Sequence, residues 1–173
     1  MDIETIRNIC KSLPSVTEDI KWGDDLCFMI GGKMFCVAVL NTPFKVSFKV
    51  SDEEAILLTG AATIAEAAKI FSEKTNAVFA ITLGKEGTML GFNNQTEIIE
   101  SIPVKPVDTT GAGDAFVGAV LYQLSDKDLV IIKELSVDDW KHIITNANKA
   151  GARTCEYLGA MEAFKNLNNQ IFQ

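Results

Sequence analysis

Asp108-Thr109-Thr110-Gly111-Ala112-Gly113-Asp114-Ala115-Phe116 is the stretch from which the rest of this chain is read. A polar, glycine-rich loop runs here into residues 114–124, a nearly all-apolar segment with the composition of a helix buried on most sides. Three consecutive small residues, Gly111, Ala112 and Gly113, leave the backbone N–H groups at the helix start unobstructed. The first amides of a helix lack internal acceptors and carry the positive end of its dipole, so the pattern predicts an anion hole. Phosphoryl transfer needs such a hole, because charge must be stabilised on the oxygens of the moving group. It also needs a base, and Asp114 stands beside the hole, where it can accept the proton of an attacking hydroxyl. A plainer reading, a helix start with an aspartate stabilised by the dipole, would ask less of the sequence. Nine residues in this order favour the chemical one.

Working outward from this loop, strand and helix periods alternate, which predicts an α/β arrangement. Residues 78–83 form an apolar strand, Gly84-Lys85-Glu86-Gly87 reads as a hairpin turn, and residues 89–92 and 98–104 add two more strands. Upstream, Ser51 with Glu54 three residues on makes a capping box, and Thr59-Gly60 closes that short helix. Residues 63–74 follow as a helix with Ile64, Ala67, Ala68 and Phe71 on one stripe. Downstream, Ser136 to Asp139 is a second capping box, opening a helix with Trp140, Ile143, Ile144, Ala147 and Gly151 on one face.

The first fifty residues have a different pattern. Ile3, Ile6, Ile9 and Leu13 recur at helical spacing, Asp2 can cap that helix, and Pro14 ends it. Residues 26–30 and 34–40 are β-prone runs separated by Gly31-Gly32-Lys33, and residues 44–50 alternate, with Phe44, Val46, Phe48 and Val50 on one face. These signals predict a helix packed on a three-stranded antiparallel meander.

At 173 residues the chain has room for one full core and a small second module. It has no apolar run near the roughly 18 residues of a membrane span. The net charge of −7 opposes charge-driven binding to nucleic acid or anionic lipid. Cys10, Cys27, Cys36 and Cys155 show no C-x-x-C spacing and have only His142 to join them, so they read as reduced thiols, not as a metal site. The opening residues lack the basic start and apolar core of a secretory signal, which points to the cytoplasm. His142 and Trp140 read as structural. Homo-oligomerisation stays open.

The segment from Asp108 to Phe116 resembles the carboxyl-terminal signature of PfkB (ribokinase-like) carbohydrate kinases, and its surroundings look most like a bacterial fructokinase. The resemblance runs from about residue 49 to 164. It implies a partial ribokinase-like sheet with flanking helices over residues 51–173, which would bind a nucleotide and a small sugar. It also implies transfer of the ATP γ-phosphoryl to a sugar hydroxyl with Mg2+ and K+ as ions. On the same ground Asp114, Gly111, Ala112 and Gly113 are implied as catalytic, and Thr82, Gly84 and Gly87 in the T-L-G-x-x-G turn as nucleotide-side residues. Asn148 matches an asparagine near the adenine, its alternative being a helix position facing solvent. Asp108 and Thr110 fall where the family holds a monovalent cation, or else simply form a turn. Glu54 falls where an acid organises magnesium, with Ser51 in place of the family's asparagine.

Residues 1–50 contain none of the family's sugar-binding half. They resemble instead the opening of the MmcQ/YjbR family, a small α/β fold described as DNA-binding-like. The resemblance rests on Ser12 to Asp19, Trp22-Gly23-Asp24 and Gly31 to Phe35. The alternative function is therefore a noncatalytic binding module, which has no use for an anion hole. The two resemblances meet around residues 48–54.

Overall fold

The computed structural model describes residues 3–21, 25–39, 45–48, 50–74 and 77–167. Asp2, Trp22-Gly23-Asp24, Leu40, Phe44 and Lys49, all used in the sequence reading, lie outside the described residues. The chain divides into two compact units, Met1–Val50 and Ser51–Gln173.

In the first unit, α1 (Ile3–Lys11) buries Ile6 and Cys10 one turn apart. It shares a core with Leu26, Phe28, Cys36 and Ala38. Four strands pair antiparallel in chain order: β1 (Val16–Lys21), β2 (Asp25–Ile30), β3 (Lys33–Val39) and β4 (Lys45–Phe48). Gly31 and Gly32 both have positive φ, as the β2–β3 turn demands. The meander expected from sequence is present, but it has four strands, not three. The additional strand, β1, reads Val-Thr-Glu-Asp-Ile-Lys, and its three charged side chains hide the alternation.

One of those charges ties the unit together. Glu18 accepts from Arg7 Nε at 2.8 Å and Arg7 Nη2 at 2.6 Å, and Lys11 Nζ lies 2.8 Å from its Oε1. This bidentate, charge-assisted clasp, from Arg7 first and Lys11 second, draws the Glu18 carboxyl down from its ordinary 4.5 to about 2. The folded value lies below the unfolded one, so its stabilisation is complete above pH 4.5 and is lost as pH falls towards 2. In a denaturation series between pH 6 and 3, Glu18→Gln is expected to flatten the acid-side loss of stability. An unchanged slope would mean that the clasp contributes nothing.

In the second unit, α2 (Asp52–Thr59) begins at the expected capping box. Glu54 N–H donates to Ser51 Oγ and Ser51 N–H donates to Glu54 Oε2 at 2.7 Å. Gly60 ends the helix in the left-handed region at φ 69°. Next come α3 (Ile64–Lys74) and a three-stranded antiparallel sheet of β5 (Phe79–Thr82), β6 (Thr88–Phe92) and β7 (Gln95–Ile99). The strand expected over residues 98–104 is displaced. β7 starts at Gln95, after an Asn93-Asn94 turn with positive φ at both residues, and beyond Ile99 the chain runs to the loop without regular structure.

Three further helices follow the loop, α4 (Ala112–Leu124), α5 (Leu129–Glu134) and α6 (Val137–Thr154), and α7 (Glu162–Asn166) comes last. α6 starts at the second expected capping box, Ser136 with Asp139. Its apolar face packs on α4 and the sheet in a core of Leu90, Ile99, Phe116, Ala119, Ile144, Ala147 and Ala150, with Trp140 against it. The expectation that α4 is buried on most sides is corrected: of its residues only Phe116 and Ala119 are buried, along one face. Among the described residues no single helix is long and apolar enough to cross a membrane.

Candidate active site

The Asp108 loop ends at a helix amino terminus, as its small residues predict. Gly111 is the N-cap of α4 at φ 82°. A Cβ there would lie 2.6 Å from that of Ala160, so both conformation and space exclude other residues. The Ala112 amide donates to the Thr109 carbonyl at 3.2 Å and the Ala115 amide to the Gly111 carbonyl at 2.9 Å. Among the described residues no backbone acceptor is found for the Gly113 and Asp114 amides between them. Asp114 itself is exposed, in the first turn of the helix.

The loop is held from within and from behind. Asp108 Oδ1 accepts from the Thr110 amide at 2.9 Å and hydroxyl at 2.7 Å, and Oδ2 accepts from the Gly159 amide at 2.8 Å. These bonds, led by the Thr110 amide, hold the Asp108 carboxyl below the usual aspartate range. The turn after α6 supplies the rest of the grip, since the Cys155 carbonyl accepts from the Val107 amide at 2.7 Å and the Asp108 amide at 3.1 Å. Farther along α6, Gly151 lets the helix approach the start of α4, because a Cβ there would lie 3.0 Å from the Ala112 carbonyl.

The Thr82-Leu83-Gly84-Lys85-Glu86-Gly87 segment is the β5–β6 hairpin turn expected from sequence, wound into a short 3-10 turn, Gly84–Glu86. Gly84 has φ 58° and Gly87 φ 112°, and a Cβ on Gly87 would collide with the Ile99 carbonyl. Ser51 bridges Thr82 in parallel, which puts the Glu54 cap beside the same turn.

Asn148 faces neither solvent nor open space. It is 6% exposed. Its Nδ2 donates to the Ile99 carbonyl at 2.8 Å, and its Oδ1 accepts from the Thr88 hydroxyl at 2.6 Å. One buried amide therefore ties α6 to the strand just after the hairpin turn and to the strand end behind Gly87. Sequence reasoning missed Gly159, Thr88 and Gly151 as supports. Only the helical spacing from Asn148 to Gly151 hinted at the last.

Among the described residues, no three His, Cys, Asp or Glu side chains converge as a metal cage. Magnesium in phosphoryl-transfer sites needs only one or two carboxylates beside substrate phosphates and water. Glu54 suits that partial shell, since its Oε2 is spent on the cap and no partner for Oε1 is found among the described residues. Asp108 Oδ2, with a single donor, keeps a lone pair for a monovalent cation. A cavity of about 440 Å3 lined by Gln123, Lys127, Asp139 and His142 opens at the other end of α4, roughly 15 Å from Gly111 by helix rise. It is separate from the loop.

Residues 47–166 match the sequence profile of the pfkB family carbohydrate kinases. The chain belongs to the PfkB family. A fructokinase of Vibrio alginolyticus is 36% identical over 121 residues, covering 66% of this chain and 36% of the relative. Among solved structures, a double mutant of the Vibrio cholerae fructokinase, crystallised with fructose, ADP and a potassium ion, superposes with a TM-score of 0.62. It is 34% identical and covers 72% of this chain and 38% of that one. An aminoimidazole riboside kinase from Salmonella enterica, with its riboside and an ATP analogue, gives 0.58 at 34% identity over 66% of this chain and 37% of that one. The PfkB segment thus spans little more than a third of these kinases, and its likeness to them is of ribokinase type.

Proposed function

We propose that the chain carries the nucleotide and catalytic side of an ATP-dependent sugar kinase of fructokinase type. The observation that carries this reading is the pair of unclaimed amides, Gly113 and Asp114, at the start of α4. In this reading the amides of residues 111–113 hold the transferring phosphoryl group, and Asp114 takes the proton from the sugar hydroxyl. Thr82, Gly84 and Gly87 line the nucleotide phosphates. Asn148 contributes indirectly, by fixing the strand ends around Gly87. Glu54 would hold Mg2+ and Asp108 with Thr110 would hold K+; bound there, the ions supply charge neutralisation for the phosphates.

The supports are membership of the PfkB family and likeness to kinases crystallised with ADP or an ATP analogue. Titration with ATP and Mg2+ tests the reading. Ligand at about 100 times its dissociation constant should add about 2.7 kcal/mol, a rise in melting temperature of several degrees. Gly113→Asp, which places a negative charge at the amides, is expected to abolish that rise. No binding at millimolar nucleotide would remove the site assignment.

For the Met1–Val50 unit, the helix on an antiparallel sheet favours the MmcQ/YjbR-like reading of a noncatalytic binding module. Retention of duplex DNA by the full chain, lost at moderate salt, would support its DNA-binding-like character, which the net charge of −7 opposes.

A further inference from the structure

On α4, the residues left outside the core form one stripe. Asp114, Val117, Gly118 and Leu121 are spaced three and four apart, so they share a face of the helix. Val117 is 37% and Leu121 62% exposed, Asp114 and Gly118 are exposed, and a Cβ added at Gly118 would meet nothing within 4 Å. The opposite face, through Phe116 and Ala119, is fully used by the core with α6. An exposed apolar stripe with a small residue in its middle is built for close packing.

We infer that this stripe is the docking face for a polypeptide that carries the remaining, acceptor-binding part of a PfkB kinase. Two observations select that occupant. The chain spans only 36–38% of the fructokinases it matches, so the larger part of the kinase fold has to meet it somewhere. Asp114 heads the same stripe, so whatever covers Val117 and Leu121 is delivered beside the proposed base. A partner docked elsewhere would leave the acceptor hydroxyl out of reach of that carboxylate. The inference rests on the kinase reading of Asp114, and its test separates the two.

The experiment co-expresses the full chain with the Vibrio alginolyticus fructokinase deleted for the 121-residue segment that this chain matches. One-to-one co-purification and fructose-dependent ADP formation are expected. Leu121→Asp and, separately, Val117→Asp should lower both at least tenfold, with melting temperature and ATP binding of the free chain unchanged. Leu57→Asp, at an exposed position on α2, should leave both intact. The inference is overturned if the wild-type chain retains no fragment, if both stripe variants retain it as well as wild type, or if Leu121→Asp instead breaks a concentration-dependent dimer, which would assign the stripe to a second copy. A failed complex with ATP binding preserved overturns the docking face alone. Loss of ATP binding by the unaltered chain overturns the kinase reading beneath it.

Discussion

Gly87→Ala is expected to cost the carboxyl-terminal unit about 3 kcal/mol or more, enough to leave much of it unfolded at moderate temperature. Two independent causes combine at this position. With φ 112° and ψ −131°, Gly87 sits in a region that L side chains rarely adopt. A Cβ would also collide with the Ile99 carbonyl and lie 2.7 Å from the Ser101 amide. Those neighbours are backbone and cannot swing aside, since Ile99 is paired in β7 and its carbonyl is held by Asn148. Gly84→Ala supplies the comparison. Gly84 has φ 58° with nothing within 4 Å, so its replacement should cost about 1 kcal/mol, the left-handed penalty alone. Urea midpoints for both variants decide the matter, and equal losses would refute the steric argument.

The second large effect concerns chemistry. The chain on its own is expected to bind ATP and yet phosphorylate no sugar at a useful rate. Holding an acceptor hydroxyl in line with the γ-phosphoryl can supply roughly 7 to 11 kcal/mol of barrier reduction, a rate factor of about 10⁵ or more. The sequence resemblance places the sugar-binding residues in the part of the family that this chain does not span. A coupled assay with fructose, ribose and ATP should therefore read background. Turnover near the usual 1 to 100 per second, abolished by Asp114→Ala, would overturn this. In a complex that restores turnover, Asp114→Ala should lower it by about 10² to 10⁴ while leaving nucleotide affinity within a few-fold.

Local chemistry was the legible part of this molecule. Ser51 with Glu54 and Ser136 with Asp139 announce helix starts through spacing alone, and both capping boxes form. The helix amino terminus at Gly111 is equally plain, because three small residues before an apolar run have few other uses. Elements whose exposed side chains mask their period were not legible. β1 carries Glu18, Asp19 and Lys21, and β7 begins with three exposed polar residues, Gln95, Thr96 and Glu97. The short helices α5 and α7 carry no capping box to announce them.

Burial was misread on α4 for another reason: composition reports how apolar a helix is, not how much of the fold is present to cover it. Asn148 could not be placed from sequence at all. Its partners, Thr88 and Ile99, lie 60 and 49 residues away along the chain.

That asparagine has a mechanical consequence. An apolar helix can slide along an apolar sheet by a turn at modest cost, but a buried amide that finds its carbonyl and hydroxyl at a single setting cannot slide without leaving three polar groups unpaired, at about 1 to 3 kcal/mol each. Asn148 thus acts as an indexing pin for α6. Gly151 and the Cys155 turn ride on that same helix, so the pin sets the position of the Asp108 loop as well as that of the Gly87 turn. The two phosphate-facing segments, far apart in sequence, are calibrated against each other by one side chain that touches no ligand.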